Sequence, residues 1–280
     1  ISYVAGCPEC ENINYRRLPV RIDGHDCAIC GKPLKSMDFY KSIGPRAGFI
    51  AESKVDEVPL SSQERKYRTE AIYIGDPNAS PIETFDYEFG KTKIHVQSTA
   101  NDSVVVKSTE SFYVCSKCGY SIASDETSKL NKYTDYKRGV KSIRTGEPHD
   151  NPFARGKCDN TELTRYWLHH EFKTDVAKIT FETDTHDREQ MQSVMYALLN
   201  AFADTLSIEK RDIKACLTYK RENGRYEHKI IIYDAVPGGA GHSRRLVTED
   251  GAVLRKVILR AIQLLSECTC EPSCYKCLRN

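Results

Sequence analysis

No run of about 18 apolar residues, the length a helix needs to cross a bilayer, occurs in this 280-residue sequence. The opening "ISYVAGCPEC" lacks the basic-then-apolar plan of a secretory signal. Both absences lead to the expectation of a soluble, cytoplasmic protein with no membrane partner. Charge of one sign is not in excess either: Lys plus Arg number 41 and Asp plus Glu 39, a net of +2. Phosphate recognition would have to come from a local basic patch, because the average supplies none. There is no G-K-[ST] Walker A, no DEAD or DEAH box and no arginine-finger context, so this segment is not expected to be an ATPase or other enzyme by itself. Internal repeats and low-complexity tracts are also missing. The first residue is Ile1 and not Met, which reads as a processed chain or a piece of a longer one.

Cysteine, by contrast, is abundant. There are twelve, and with 40% hydrophobic residues over 280 positions the chain can bury a core without needing disulfides. Cys7 and Cys10 form one C-x-x-C and Cys27 and Cys30 a second, with sixteen residues between them. A tight C-x-x-C turn presents two thiolates to one ion at roughly 2.3 Å, and two such turns at this spacing match a zinc ribbon. A thioredoxin-like redox dithiol would stand singly between a strand and a helix. The linking "RRLPVRIDGHD" contains Asp23-Gly24 and reads as a β-hairpin.

A third pair, Cys115 and Cys118, has no second C-x-x-C nearby and needs two ligands from downstream; His149 and Cys158 in "HDNPFARGKC" are the candidates. The tail packs Cys268, Cys270, Cys274 and Cys277 into ten positions, enough thiols to enclose one ion in a compact loop. Three structural zinc ions are therefore expected. Closed four-ligand shells leave no position for a catalytic water. Cys216, in the apolar "KACLTY", is expected to be a small buried hydrophobe.

Between these clusters the expected fold is α+β. Residues 1–50 read as the zinc ribbon and 51–160 as a β-rich module holding the second zinc site. Residues 161–280 read as an α/β layer ending in the cysteine knuckle. "EAIYIG", "FDYEFG", "KTKIHVQS" and "SVVVKSTESFYVC" read as strands, with "TAND" as a hairpin turn. "TDVAKITFET" is a strand, and Met191, Val194, Met195, Leu198, Leu199, Phe202 and Leu206 form a helical stripe expected in the core. "DIKACLTYK" and "HKIIIYDA" flank an Asn-Gly hairpin signal, and Leu254, Val257, Ile258, Ala261, Ile262 and Leu265 mark a last helix.

Two segments leave their role open. In "KLNKYTDYKRGVKSIR", Lys132, Lys137, Arg138, Lys141 and Arg144 are interleaved with Tyr133 and Tyr136, either to bind phosphates and stack bases or as a solvated loop. In "AVPGGAGHSRRL", Pro237, Gly238, Gly239, Gly241 and His242 lie at a strand-to-helix junction. The glycines can let backbone N–H groups cradle an anion, helped by Arg244 and Arg245, or can simply pack strand on helix. "WLHHEF", with His169, His170 and Glu171, is read as a packed segment, since neighbours on a strand point to opposite faces.

"YDAVPGGAGH", then a helix, then "CTCEPSCYKCL", resembles the C-terminal MrfA-type zinc-binding (MZB) domain of superfamily 2 DNA helicases and of DISARM DrmB-like phage-defence proteins. The likeness is specific over 233–279 and looser over 165–280. It implies that Cys268, Cys270, Cys274 and Cys277 bind zinc. It also implies DNA and a helicase core, in the same chain or a partner subunit, as partners in repair or defence. A protein-docking module is the alternative, and a hydrolase using the glycine loop and His242 a more remote one.

Overall fold

The computed structural model describes residues 2–9, 13–17, 25–28, 30–35, 38–44, 69–76, 78–137, 140–182, 187–222 and 225–270. Its strands are β1 (Ser2–Gly6), β2 (Ile13–Arg17), β3 (His25–Asp26), β4 (Pro33–Leu34), β5 (Tyr40–Ile43), β6 (Thr69–Tyr73), β7 (Ser80–Phe89) and β8 (Thr92–Cys115). They continue as β9 (Ser121–Ala123), β10 (Ser142–Arg144), β11 (His149–Asp150), β12 (Lys157–Cys158), β13 (Glu162–Glu182), β14 (Ile213–Glu222) and β15 (Arg225–Asp234). The helices are α1 (Thr127–Leu130), α2 (Arg188–Thr205) and α3 (Ala252–Ser266). Two compact units result: Ile1–Cys27, Gly31–Glu70 and Val106–His170 form one, and Ala28–Cys30, Ala71–Val105 and Glu171–Asn280 the other. Sheet-rich with few helices, the fold agrees with the α+β expectation. Among the described residues no helix is long and apolar enough to cross a membrane.

In the first unit β1 pairs antiparallel with β2 and with β5, with Val4 opposite Tyr15 on one side and Tyr40 on the other. The start of β13 runs parallel to β5, Trp167 opposite Ser42, and antiparallel to β10, Ile143 opposite Leu163. These elements are short. Their interior is correspondingly small: Tyr113, Ile122, Leu130, Ile143 and Leu163 bury together with Cys115, Cys118 and Cys158. "YWLHHEF" lies wholly within β13, with His169 half-buried and His170 exposed, as alternation along a strand requires.

The second unit is a layer of helices on a sheet. β15 pairs antiparallel with β14 and with β13, Ile231 opposite Cys216 and Ile232 opposite Ala177. The unbroken apolar run "IIIY" follows from burial on both faces. Ile230 and Ile232 join Phe202, Leu254 and Val257 on the helical side, while Ile231 and Tyr233 pack with Val104, Val176 and Cys216 on the other. Asp187 caps α2, its carboxylate accepting the Glu189 N–H at 2.8 Å, and Ser207 in a left-handed conformation (φ 52°) ends it. Not all of either helical stripe is core: Val194 is 38% exposed and Ile262 49%.

"TAND" is not a hairpin turn. It lies inside the 24-residue β8, which kinks at Asn101 (φ 55°) without ending. The kink turns Asp102 inward, where its carboxylate is fully buried and accepts from Tyr73 Oη at 2.8 Å, Thr99 Oγ1 at 2.7 Å and the Asp76 N–H at 2.8 Å. Lys178 Nζ lies 2.9 Å from the same carboxylate. Burial alone would raise the Asp102 pKa, but the hydrogen bonds from Lys178 and Thr99, the Lys178 charge and the Tyr73 hydroxyl hold it below the usual carboxylate value. The sign follows: this pair stabilises the fold above the unfolded carboxylate pKa and its contribution is lost as pH falls through the depressed folded value. Asp102→Asn is expected to cost about 3–5 kcal/mol in urea unfolding at neutral pH by stranding Lys178. The cost should shrink on acidification, and pairing the change with Lys178→Met should recover much of the loss.

Candidate metal centre

Cys115, Cys118, His149 and Cys158 come together in the first unit, one ligand atom from each lying within 4.8 Å of all the others. Two local structures put them there. The first is a knuckle at the end of β8: the Gly119 N–H donates to Cys115 O at 2.9 Å and the Cys115 N–H to Tyr120 O at 2.8 Å, a turn that needs Gly119 at φ 76°. The second is the β11–β12 ribbon, in which His149 and Cys158 are direct cross-strand partners. Asn151 and Gly156 close that ribbon, the Asn151 N–H donating to Gly156 O at 3.1 Å.

The donor set fits zinc: three soft thiols and one imidazole, almost wholly buried. Cys118 Sγ is 3.1 Å from His149 Nε2 and Cys115 Sγ is 3.9 Å from Cys158 Sγ. Nε2 is turned to the thiols, Nδ1 is buried without a hydrogen-bond partner, and Tyr120 stacks on the ring at 4.7 Å between centroids. Burial opposes ionisation of Cys115, but the backbone N–H groups of Cys118 and Lys117 and the Asn160 amide, 3.1 Å from its sulfur, outweigh it and lower its pKa. Burial and the neighbouring sulfurs push Cys118 the other way. Four donors form a closed set. Such a site holds strands together and offers no open position for a reacting water.

A second group, Cys7, Cys27 and Cys30, keeps its sulfurs within 4.8 Å of one another. The turn after Cys27 repeats the first knuckle: Gly31 (φ 71°) donates to Cys27 O at 3.0 Å and the Cys27 N–H to Lys32 O at 2.8 Å. The shared sequence signal is the glycine directly after each C-x-x-C, "CAICG" and "CSKCG". Asn14 Nδ2 lies 3.5 Å from Cys27 Sγ, as Asn160 serves Cys115. Neither asparagine was singled out by sequence. In the tail, Cys268 and Cys270 sulfurs are 3.0 Å apart. Cys10, Cys274 and Cys277 lie outside the described residues. Cys216 is buried in the apolar layer described above, away from any of these groups.

The glycine-rich loop closes on a residue of its own chain. Asp234, at the end of β15, is fully buried and accepts the N–H groups of Ala240 at 2.6 Å, His242 at 3.0 Å and Ser243 at 2.8 Å. Those are the amides an anion would use. Thr174 Oγ1 ties the strand end down through Asp234 O at 2.8 Å and Val236 O at 3.0 Å. Gly239 (φ 76°) lies so close to Asp175 that an added Cβ would come within 2.4 Å of its carboxylate. Arg244 pairs with that buried Asp175 at 2.7 Å, while Arg245 is exposed; Pro237 and Gly238 are exposed and Gly241 and His242 half-buried. Asp234 was legible only as the residue before the loop.

The basic candidates are dispersed. Lys132, Lys137, Lys141 and Arg144 are exposed, and Arg138 lies outside the described residues. Tyr133 and Tyr136 do not stand free to stack on bases: both pack against the metal-centre cluster, and Tyr133 Oη is 3.0 Å from Tyr120 Oη.

A sheet-rich α+β chain with grouped thiols able to hold metal is the class these observations define. The family described as the MrfA Zn-binding domain, MZB, matches residues 194–278, so the resemblance read from the glycine loop and the tail cysteines is shown there. The Druantia protein DruE of Escherichia coli (strain UMEA 4076-1) is 23% identical over 301 aligned positions, which take in 97% of this chain and 15% of that protein. A crystal structure of the DUF1998 helicase MrfA bound to DNA aligns with 76% of this chain and 23% of its own, at 14% identity and a TM-score of 0.39. A second, of the same helicase bound to DNA and AMPPNP, aligns with 75% of this chain and 21% of its own, at 12% identity and a TM-score of 0.31. The chain thus spans less than a quarter of these relatives' lengths.

Replacing a donor should remove one metal ion and the structure that depends on it. Cys158→Ser is expected to lower the bound zinc by about one per chain and to lose most of the stability of the first unit, since structural zinc contributes an apparent 10–16 kcal/mol against a domain stability of about 5–15. Metal analysis combined with chelator-dependent thermal unfolding reads both. Unchanged metal content in Cys158→Ser would remove this residue from the donor set.

Proposed function

We propose that this chain is a zinc-stabilised accessory domain of a DNA helicase or of an antiphage defence protein. In this reading it helps bind or position DNA for an ATP-dependent motor encoded elsewhere in the chain or complex. The observation that carries it is the match of residues 194–278 to the MrfA Zn-binding domain. Alignment of nearly the whole chain with a Druantia protein supports the defence setting. Three ions are proposed: one held by Cys7, Cys10, Cys27 and Cys30, one by Cys115, Cys118, His149 and Cys158, and one by Cys268, Cys270, Cys274 and Cys277. All are structural. DNA contacts fall to surface cations, Lys132, Lys137 and Arg144 among them, because the loop amides that could hold a phosphate are occupied by Asp234.

The second reading, a docking module for a partner protein, is favoured by one feature of the second unit. An apolar groove of about 230 Å³ is lined by Phe89, Phe181, Val194, Ile258, Ile262 and Leu265.

Fluorescence anisotropy with labelled DNA at low salt separates the two. Binding is expected, with log K falling linearly against log salt, and Lys137→Ala with Arg144→Ala should weaken it for all sequences and reduce the slope by about two. No binding to single-stranded or duplex DNA at about 50 mM salt leaves only the docking reading. ATP turnover by the chain alone would contradict both.

A further inference from the structure

A group of side chains in the first unit serves neither the metal centre nor the core. Tyr40 on β5 and Trp167 on β13 lie with ring centroids 4.6 Å apart at 60°. The parallel register explains the meeting: Trp167 is opposite Ser42, so Tyr40 and Arg165, each two residues earlier on its own strand, emerge on the same face. The Arg165 guanidinium lies 4.8 Å from the Trp167 centroid and 5.2 Å from that of Tyr40. Its Nε donates to Ser111 Oγ at 2.7 Å, which fixes its rotamer. Lys141 reaches the same ring, its Nζ 5.4 Å from the Tyr40 centroid and 3.1 Å from Phe39 O. The Arg165 N–H donates to Lys141 O at 2.8 Å, so the two backbones are joined directly beneath the cations.

Among the described cations that lie over aromatic rings, charge balance singles this group out. Lys107, Lys173, Lys178 and Arg244 each have an acidic partner. Among the described residues Arg165 and Lys141 have none, although both crowd one tyrosine ring. An anion is the member that would complete the group. The rings are half-buried with Lys141 exposed beside them, so the anion would arrive next to an accessible aromatic edge. Phosphate beside a flat, stackable ring is the chemistry of a nucleotide. Bases inside a duplex are already stacked and cannot reach a protein ring, whereas single-stranded bases can.

We propose that Tyr40, Trp167, Arg165 and Lys141 form a binding platform for single-stranded DNA, a base packing on the Tyr40–Trp167 pair and the two cations taking adjacent phosphates. This rests on the DNA-contact reading above and gives it a location and a strand preference.

Trp167 is the sole tryptophan of the chain, so its emission reports on this platform alone. The 280-residue chain is titrated with an oligothymidylate of about 15 nucleotides, following tryptophan emission and the anisotropy of the labelled strand together. Quenching in step with binding is expected, and an abasic strand of equal length should bind more weakly and leave emission unchanged. Trp167→Leu should weaken binding about tenfold with Trp167→Phe largely rescuing it, as loss of one stacked base requires. Exposed Lys141→Ala should lower the salt slope by about one. Zinc content shows whether each variant is folded, and Lys141→Ala keeps the test decisive if Trp167→Leu is not. DNA binding with unchanged emission and with wild-type affinity in Lys141→Ala overturns the platform but leaves the DNA reading standing. Duplex bound as tightly as the single strand overturns the strand preference. Absence of any DNA binding overturns both.

Discussion

Three thiols and an imidazole brought within 4.8 Å of one another cannot all take their reactive forms without a cation, because each thiolate raises the cost of ionising the next. Hydrogen bonds to its sulfur favour the thiolate at Cys115, while burial and the neighbouring sulfurs disfavour it at Cys118. Much of the first unit is arranged so that a cation resolves that conflict. Apart from β8, which ends at Cys115, the strands around the centre, β9 to β12, have two or three residues each, too short to persist by backbone pairing alone. The apolar cluster of Tyr113, Leu130, Ile143 and Leu163 is built around the cysteines themselves. A metal held by these four donors would add a link between the knuckle and the β11–β12 ribbon that the small core does not supply.

The second unit satisfies three buried carboxylates by three different routes. Asp102 is matched by the lysine ammonium of Lys178 with hydroxyl support, Asp175 by the Arg244 guanidinium, and Asp234 by three backbone N–H groups. The last route explains the glycine-rich loop. Turning successive amides onto one carboxylate takes left-handed backbone at Gly238, Gly239 and Gly241, and Gly239 has no room for a side chain against Asp175. The loop is an anion nest with a tethered anion already in it. A phosphate from outside would compete with a carboxylate six residues away in the chain, which is why packing is the better account of these glycines.

Legibility in the sequence followed the range of the interaction. The C-x-x-C-G knuckles are local, and residue types and spacing sufficed to find both and to nominate His149 and Cys158 as partners of the second. The helical stripes of α2 and α3 were likewise readable, apart from the exposed Val194, Ile262 and Leu265, since periodicity says which face is apolar and not how much of it is covered. "TAND" misled because Asn and Asp are turn formers by local chemistry, yet here Asp102 is claimed by Tyr73 and Lys178, which are distant in sequence. That β13 runs unbroken through "YWLHHEF" was not legible for the same reason: of its partners only β10 is near in the chain, while β5 and β15 are far away on either side. The pairing of Arg165 with Tyr40 and Trp167 depends on that parallel register, and no motif encodes it.

Closed donor sets also constrain what the protein can be for. A metal bound on four sides by the chain would supply neither a nucleophile nor an electrophile at that site, so on the proposed reading its part is to hold the surrounding surfaces in place. With a formal net charge of only +2, long-range attraction to a polyanion is weak, so the DNA contact proposed above would depend on where cations lack internal partners. Arg244 is ruled out by Asp175, and Lys178 by Asp102. Arg165, on β13, and Lys141, directly before β10, lie beside aromatic rings without an acidic partner among the described residues. On the proposed reading, metal and surface are thus coupled through one strand: the first residues of β13 follow four positions after Cys158, so the centre that fixes Cys158 also fixes the register that brings Arg165 and Trp167 to Tyr40.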